Sequence, residues 1–406
     1  MSTSVNELLR GVGWCQDGRV LRADPADRDR LPGDTWERAT VPAGVRLEFV
    51  ARGARAVEIE YAASEPLPAD AYRRLTPAFT LLRGSEVIAE CGAEPTGRRV
   101  VRLELPAGGD ALGVAAEGVR PAGGGACAPG APGGPGRTVG PAGRDPGGAV
   151  LGGPDPDGRA LGGPDQGGRV PGSPAPGGLV APAGPEAVFT LHLPEVLRPV
   201  LYEVRPLGGT LSPAPARPRW LVYGDSISEG WTASRPHLAW PAVAGRALGL
   251  DTVNLGYAGA ARGELASAQQ VAGLPGDLIT LAFGTNCWSR TPCSAPLLYE
   301  TTRAFLTLVR QSHPDTPLLV LSPVVRPDAE DSPNALGATL SDLREAMERA
   351  TNDARAADKH LALLPGGPLL GAEHLADGVH PDDAGHARMA AAVTSAVRGA
   401  FGPPGG

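Results

Sequence analysis

Five short apolar runs, separated by longer amphipathic stretches, follow residue 217 and restrict the folds open to this chain. The runs are 221–223, 252–255, 278–283, 318–321 and 361–364. Short apolar runs of this kind are typical of parallel strands that are buried on both faces. The amphipathic stretches are 239–248, 264–271, 297–310, 340–357 and 386–397. Strands that alternate with helices predict a doubly wound, three-layer α/β/α domain over 217–406, with its site beyond the carboxyl ends of the strands.

The first half of the chain has a strand-rich pattern instead. Segments with β-branched or alternating apolar residues are 45–50, 56–61, 79–82, 87–89, 98–105 and 187–193. Turn residues separate these segments, as in an all-β sandwich. Gly208 and Gly209, followed by the proline-rich 212–218, are interpreted as an interdomain linker. We therefore predict a β-sandwich-like domain over 1–216.

A Gly/Pro-rich insertion, residues 121–185, interrupts this β domain. It contains a ten-residue quasi-repeat, seen as LGGPDPDGRA, LGGPDQGGRV and PGSPAPGGLV over 151–180. Such a sequence buries too little apolar surface to offset the entropy of ordering it. We predict a disordered surface insertion without function. A β-solenoid is the structured alternative, which the prolines disfavour because they remove ladder donors.

Composition narrows the class of protein. The net charge of −7 over 406 residues provides no basic face for nucleic acid or for an anionic membrane. No run approaches the ~20 apolar residues of a membrane span, and residues 1–14 lack the apolar core of a signal peptide. Five cysteines without a Cys-x-x-Cys pair argue against a zinc site or a disulfide framework. We expect a cytoplasmic protein without a metal or other cofactor, in which Cys287 and Cys293 are either reduced or bridged.

Polar residues follow the predicted strands in four loops. These are GDS at 224–226, NLGYAG at 254–259, GTN at 284–286 and DGVHP at 377–381. Each alone is ordinary turn or helix-cap chemistry. Their recurrence in order on an α/β pattern is far more specific, because strand ends on one edge of a parallel sheet bring the loops together.

These four blocks resemble the SGNH subgroup of the GDSL esterase/acylhydrolase family, which is named for a Ser, a Gly, an Asn and a His in such loops. The resemblance covers about 219–401 and implies a flavodoxin-like hydrolase domain that needs no cofactor. Mapped onto this sequence, it implies Ser226 as nucleophile, Gly259 and Asn286 as oxyanion donors together with the Ser226 N–H, and His380 with Asp377 as the base pair.

Elementary chemistry favours the same roles. Acyl transfer develops negative charge on the carbonyl oxygen, which backbone N–H groups and the Asn286 amide can stabilise. His380 is the residue type that most often takes and returns a proton in such reactions, so it is suited to moving the serine proton. Asp377, three residues earlier, can reach the other ring nitrogen and fix the tautomer.

Departures from the family pattern concern the residues after two of the blocks. Ile227 replaces the usual leucine, and Cys287 stands where the family often has an acidic residue. Trp288 and Arg290 follow, and we interpret them as an aromatic wall and a cation near the acyl or alcohol pocket; ordinary loop packing is the alternative. Asp225 is expected to organise the turn rather than to perform chemistry.

Three functions remain open at this stage. The leading interpretation is a serine esterase that hydrolyses small carboxylic esters of carbohydrates or natural products through an acyl-serine intermediate. An acyltransferase that moves the acyl group to an alcohol would use the same residues. A noncatalytic glycan-binding protein is the third, with the β domain as the binding module; that domain is equally compatible with a structural role.

Overall fold

The computed structural model describes residues 4–16, 18–64, 77–106, 116–121 and 187–403. Apart from Pro121, the Gly/Pro-rich insertion predicted over 121–185 lies outside the described residues and stays a prediction. The described residues form antiparallel sheets in the first half of the chain and a parallel sheet with helices in the second. No described helix is both long enough and apolar enough to cross a lipid bilayer.

Twelve strands and two helices make up the described N-terminal part. The strands are β1 (Leu9–Arg10), β2 (Trp14–Gln16), β3 (Arg19–Leu21), β4 (Arg46–Arg52), β5 (Ala56–Ala62), β6 (Ala78–Arg83), β7 (Glu86–Gly92), β8 (Arg98–Glu104), β9 (Ala116–Pro121), β10 (Val188–His192), β11 (Val200–Leu207) and β12 (Thr210–Pro213). The helices are α1 (Val5–Leu8) and α2 (Gly33–Ala39).

Two of the antiparallel sheets pack face to face, as the alternating segments predict. One sheet has the order β1-β4-β10-β6-β7, with β12 also paired to β4, and the other has the order β11-β5-β8-β9. Leu47 and Phe49 of β4 share a buried core with Ile59 and Tyr61 of β5, because alternate residues of each strand point inward. Strands β2 and β3 form a separate hairpin.

All six predicted strands are present, but six others, β1, β2, β3, β9, β11 and β12, were not predicted. The segment interpreted as a linker, Gly208–Gly209 and 212–218, begins in the turn between β11 and β12, and its Ser212 lies within β12, where it pairs with Val50 of β4. Pro213 is tolerated there because β12 ends at this residue on the edge of its sheet. Pro213 therefore marks a strand end, and the interdomain linker stays a prediction.

The second half is a five-stranded parallel sheet, in agreement with all five predicted runs. Its strands are β13 (Arg219–Gly224), β14 (Asp251–Gly256), β15 (Leu278–Ala282), β16 (Leu318–Leu321) and β17 (Leu361–Leu364). The order is β14-β13-β15-β16-β17, which is the flavodoxin-like order. In this order the strands are added on one side of β13 and then on the other, so the switch point lies between β13 and β15. Loops after β13 and β15 therefore border the crevice where such sheets bind ligands.

Helices cover both faces of the parallel sheet. They are α3 (Ser226–Glu229), α4 (Trp240–Leu248), α5 (Leu265–Gly273), α6 (Asn286–Ser289), α7 (Ala295–Ser312), α8 (Leu340–Arg355) and α9 (Asp383–Phe401). Helices α5, α7 and α8 bury apolar side chains on one face, and α4 and α9 do so on the other. This arrangement is the predicted three-layer sandwich.

The core on the α5, α7 and α8 face also contains residues from the start of the chain. Ala23, Leu31 and Ala39 are buried there beside Tyr223 of β13 and Leu255 of β14. This N-terminal segment thus packs on the parallel sheet although it lies far from that sheet in sequence. The domain division at residue 216 stays a prediction.

Candidate functional site

The loop after β13 presents Ser226 at the carboxyl edge of the parallel sheet. Asp225 caps the short helix α3, its Oδ1 accepting the backbone N–H of Ile227 at 3.0 Å. Burial raises the pKa of Asp225 to about 6. The carboxylate is therefore engaged in the turn, which matches the organising role expected from the sequence.

Ser226, His380 and Asp377 form a continuous hydrogen-bonded chain. Ser226 Oγ lies 2.9 Å from His380 Nε2, and His380 Nδ1 lies 2.8 Å from Asp377 Oδ2. A carboxylate can only accept, so the neutral ring carries its proton on Nδ1 and offers the Nε2 lone pair to the serine hydroxyl. This geometry is the one in which an imidazole can remove a hydroxyl proton.

Asp377 is held in place by more than the imidazole. Its Oδ1 accepts the backbone N–H groups of Val379 at 3.0 Å and of His380 at 2.8 Å. Burial raises the pKa of Asp377, but the hydrogen bonds from His380 and Val379 outweigh it, and the net pKa is lowered. The carboxylate consequently stays ionised throughout the range in which a histidine titrates.

Gly259 lies at a tight turn after β14. The backbone N–H of Ala260 donates to the carbonyl of Tyr257 at 3.0 Å, and Gly259, the third residue of this turn, has φ of +71°. A turn with positive φ at its third residue favours glycine. Asn254 ties the same loop to α3, because its amide donates to the Ser228 carbonyl at 2.7 Å.

Asn286 begins α6, four residues after the end of β15, and is buried. Its Nδ2 donates one hydrogen bond to the carbonyl of Ala261 at 3.0 Å. A side-chain amide has two N–H groups, so the second remains for a ligand. The contact with Ala261 also fixes the amide beside the loop that carries Gly259.

Residues 222–388, which include all of these loops, match the family model described as the GDSL-like Lipase/Acylhydrolase family. This segment is a GDSL-like lipase/acylhydrolase domain. The order of its four blocks and its sheet topology agree with the resemblance found in the sequence. A comparison with curated proteins gave no match.

Solved structures resemble the whole chain and not only the GDSL-like domain. A salicylyl-acyltransferase from a tetracycline biosynthetic pathway is 22% identical, with 97% of this chain and 95% of that chain covered and a TM-score of 0.69. A GDSL-like lipase from Bacteroides ovatus is 20% identical, with coverages of 99% and 98% and a TM-score of 0.64. A family two carbohydrate esterase from Clostridium thermocellum is 12% identical, with coverages of 88% and 92% and a TM-score of 0.52. At these identities the likeness shows a shared fold.

Trp288 and Arg290 are the two residues expected to line the substrate pocket. Their surroundings in the GDSL-like domain differ from each other. The Trp288 indole N–H donates to the Ser332 carbonyl at 2.8 Å, and the Arg326 guanidinium lies 4.7 Å from its ring centroid. Arg290 lies beside Gly259, where an added Cβ would be 3.7 Å from its Nε. Arg290 is therefore next to an expected oxyanion donor, whereas the role of Trp288 stays a prediction.

The two cysteines that follow the third block of the GDSL-like domain are free thiols, not a disulfide. The Cys287 thiol donates to the Arg262 carbonyl at 3.6 Å. A hydrogen bond with Cys293, together with burial, raises the pKa of Cys287. Cys287 is thus a buried thiol, and it directly follows Asn286 in the chain.

Two residues of the GDSL-like domain beside the site were not predicted. The ring of Trp231 lies against that of His380, with centroids 5.2 Å apart. Glu229 is buried, and its Oε2 accepts the backbone N–H of Ala258, next to Gly259, at 2.7 Å. Both follow Ser226 within five residues, so their place in the first block was the available signal.

Partners of Glu229 come from the N-terminal segment, where the sequence carried no signal. Arg38 donates from Nε to Glu229 Oε2 at 3.3 Å and pairs through its terminal nitrogen with Oε1. Arg22 lies 3.4 Å from Glu229 Oε2. These ion pairs join residues that are 191 or more positions apart in the chain.

Proposed function

We propose that this chain is a serine esterase that hydrolyses small carboxylic esters through an acyl-enzyme at Ser226. The observation that carries the proposal is the hydrogen-bonded chain from Ser226 Oγ through His380 to Asp377. Ser226 Oγ attacks the ester carbonyl while His380 Nε2 takes the hydroxyl proton. His380 then gives this proton to the leaving alcohol as the carbon–oxygen bond breaks.

Deacylation repeats these steps with water. His380 removes a proton from the attacking water, the Ser226 ester bond breaks, and the proton returns to Ser226 Oγ as the acid leaves. Asp377 remains ionised and stabilises the imidazolium that forms in each half-reaction. The proposed oxyanion donors are the backbone N–H groups of Ser226 and Gly259 and the free amide N–H of Asn286.

Esters of carbohydrates or natural products are the proposed substrates. The fold is shared over most of the chain with a carbohydrate esterase and a salicylyl-acyltransferase, which supports an ester of a hydroxylated molecule. The β-sandwich is then a wall of the substrate site or a glycan-binding module.

Acyl transfer to an alcohol is a second candidate, favoured by the shielding of the base. The His380 side chain is only 15% exposed, and the Trp231 ring lies against it. A base shielded from bulk water favours an acceptor that binds in place of water. The hydrogen-bonded chain at Ser226 speaks against a purely noncatalytic glycan-binding protein.

Hydrolysis of p-nitrophenyl acetate through octanoate tests the proposal, with Ser226→Ala and His380→Ala as variants of verified folding. Turnover by the unmodified protein that is lost in both variants supports the acyl-serine mechanism. Turnover that persists in Ser226→Ala contradicts it. An added alcohol that diverts the acyl group faster than water, at low millimolar concentration, would replace the esterase with the acyltransferase.

A further inference from the structure

We propose that Glu229, clamped by Arg22 and Arg38, is a positioning residue that sets the geometry of the loop 256–259 for oxyanion stabilisation. The inference rests on the proposed function and adds a role for the N-terminal segment. That segment, residues 22–41, becomes part of the catalytic apparatus of a domain that begins about two hundred residues later in the chain.

Glu229 connects the nucleophile to the loop. It is the last residue of α3, whose first residue is Ser226, and its carboxylate accepts the Ala258 N–H at 2.7 Å. Gly259, the expected donor, is the next residue. The backbone N–H groups of Ser226 and Gly259 must both donate to the same oxyanion. The Glu229 carboxylate therefore helps to set the distance between these two donors.

Arg22 also contacts the loop 256–259. Its guanidinium donates to the carbonyl of Gly256 and lies 3.4 Å from that of Asn254. Its own carbonyl accepts the hydroxyl of Tyr257. The loop is thus bound on its backbone and on a side chain by one N-terminal residue, which is itself buried.

Arg38 completes the clamp from α2. It contacts the Glu229 carboxylate through two nitrogens, and its carbonyl accepts from Arg22 at 2.6 Å. Its guanidinium also lies 5.8 Å from the centroid of the Trp231 ring. The Glu229 side chain is fully buried and that of Arg38 is 10% exposed, so breaking this pair leaves an uncompensated buried charge.

Two guanidinium groups facing one carboxylate leave a positive charge beneath the loop. Glu195, a further acid close enough to interact with Arg22 and Glu229, has a pKa that burial raises to about 8, so it is largely neutral at pH 7. A positive field at this place favours the negative oxygen that forms during acyl transfer. Loss of Arg38 consequently weakens both the position of the donors and the favourable charge, whereas loss of the Glu229 carboxylate affects the position alone.

A second ion pair between the same parts of the chain provides a matched control. Arg46 of β4 pairs with Asp251 at 2.8 Å, with side chains 8% and 18% exposed. Asp251 is the first residue of β14, whereas the clamp holds the loop after its last residue. Loss of this pair should affect stability without reaching the oxyanion donors.

The test compares Arg38→Gln, Arg38→Lys and Glu229→Gln with Arg46→Gln, using steady-state kinetics on p-nitrophenyl butyrate and inhibition by a boronic acid that forms a tetrahedral adduct with serine. We expect kcat to fall about 10–100-fold in Arg38→Gln and Glu229→Gln, with KM changed by less than about threefold, because a misplaced donor acts mainly in the transition state. Boronate affinity should fall in parallel, and Arg38→Lys should recover part of both. Arg46→Gln should keep kcat within about twofold.

A folded Arg38→Gln protein with unchanged kcat and boronate affinity would overturn the inference, as would an equal loss of kcat in Arg46→Gln. If Glu229→Gln does not fold, the two Arg38 variants decide. Ser226→Ala separates the inference from the proposed function. If this variant is inactive, the acyl-serine mechanism is supported whatever the clamp variants show. Turnover in Ser226→Ala would refute both.

Discussion

The Trp231 ring packs against His380 with centroids 5.2 Å apart and an interplanar angle of 37°. The neighbouring residue, Thr232, has φ of +65° and donates its hydroxyl to the Pro381 carbonyl at 2.5 Å. A non-glycine residue in this conformation is strained and persists only when its surroundings hold it. Two loops that are remote in sequence thus support one imidazole.

Replacing Trp231 with alanine should lower kcat about tenfold, because the imidazole loses the surface that restrains it and gains access to water. We expect Trp231→Phe to keep most of the activity, since a ring remains against His380. Measurement of kcat on p-nitrophenyl butyrate checks both expectations. Equal activity of Trp231→Ala and the unmodified protein would show that the hydrogen bond to Asp377 suffices to orient the ring.

Asn286→Ala should lower kcat about 10²–10³-fold with little change in KM, because its amide would act only on the developing oxyanion. Asn286→Asp should be at least as damaging, since a carboxylate repels that oxygen. The control is Asn254→Ala, which removes an amide whose hydrogen bonds within the described part of the chain go to the Ser228 carbonyl and the Gly256 N–H. A lower melting temperature but a smaller loss of kcat is expected for the control.

Arg290 should favour esters that carry a negative charge near the carbonyl. The structure gives its guanidinium no carboxylate partner among the described residues, and it lies beside Gly259. We expect Arg290→Gln to reduce kcat/KM for a p-nitrophenyl succinate half-ester about tenfold while leaving p-nitrophenyl butyrate within about twofold. Equal losses on both esters would instead assign Arg290 to the oxyanion.

Glu195 should make the protein less stable as the pH rises. Burial raises its pKa from the ordinary 4.5 to about 8, so between these values the folded state holds a proton that the unfolded state has released. Stability therefore declines from about pH 4.5 to about pH 8 and then levels off. Glu195→Gln keeps an oxygen that can accept the Gly44 N–H, now 2.7 Å from Glu195.

Melting temperatures of the unmodified and Glu195→Gln proteins from pH 5 to pH 9 provide the measurement. We expect the variant to melt at a higher temperature at pH 8.5, by about 2 °C or more if at least about 1 kcal/mol is recovered. The gap should close toward pH 5. A gap that is constant over this range would contradict the linkage.

Local pattern was sufficient for the α/β part of the fold. Each of its five strands lies at a predicted apolar run, because a strand buried on both faces must be apolar throughout. The edge strands β1, β11 and β12 were missed for the converse reason. Their residues are mostly partly exposed: β1 and β12 are only two and four residues long, and in β11 Glu203, Arg205 and Pro206 interrupt the apolar residues. Pairing with β4 or β5 is what makes them strands.

Some residues of the candidate site could be predicted from the sequence and others could not. Chain order and residue type predicted that Ser226, Asp377 and His380 lie together, because the four loops follow strands that end on one edge. The structure joins these three by hydrogen bonds of 2.8–2.9 Å. Arg22 and Arg38 had no comparable signal, since an arginine in a polar segment looks like a solvated surface residue.

The α/β fold, the β-rich first half and the loops that carry the candidate catalytic residues could be predicted from the chain, because these features depend on periodicity and on residues close together in sequence. The packing of residues 22–41 on the parallel sheet and the ion pairs of their arginines with Glu229 became visible only in the folded protein. Ion pairs between residues about two hundred positions apart form only when the sandwich and the sheet are both folded, and no local pattern encodes that proximity.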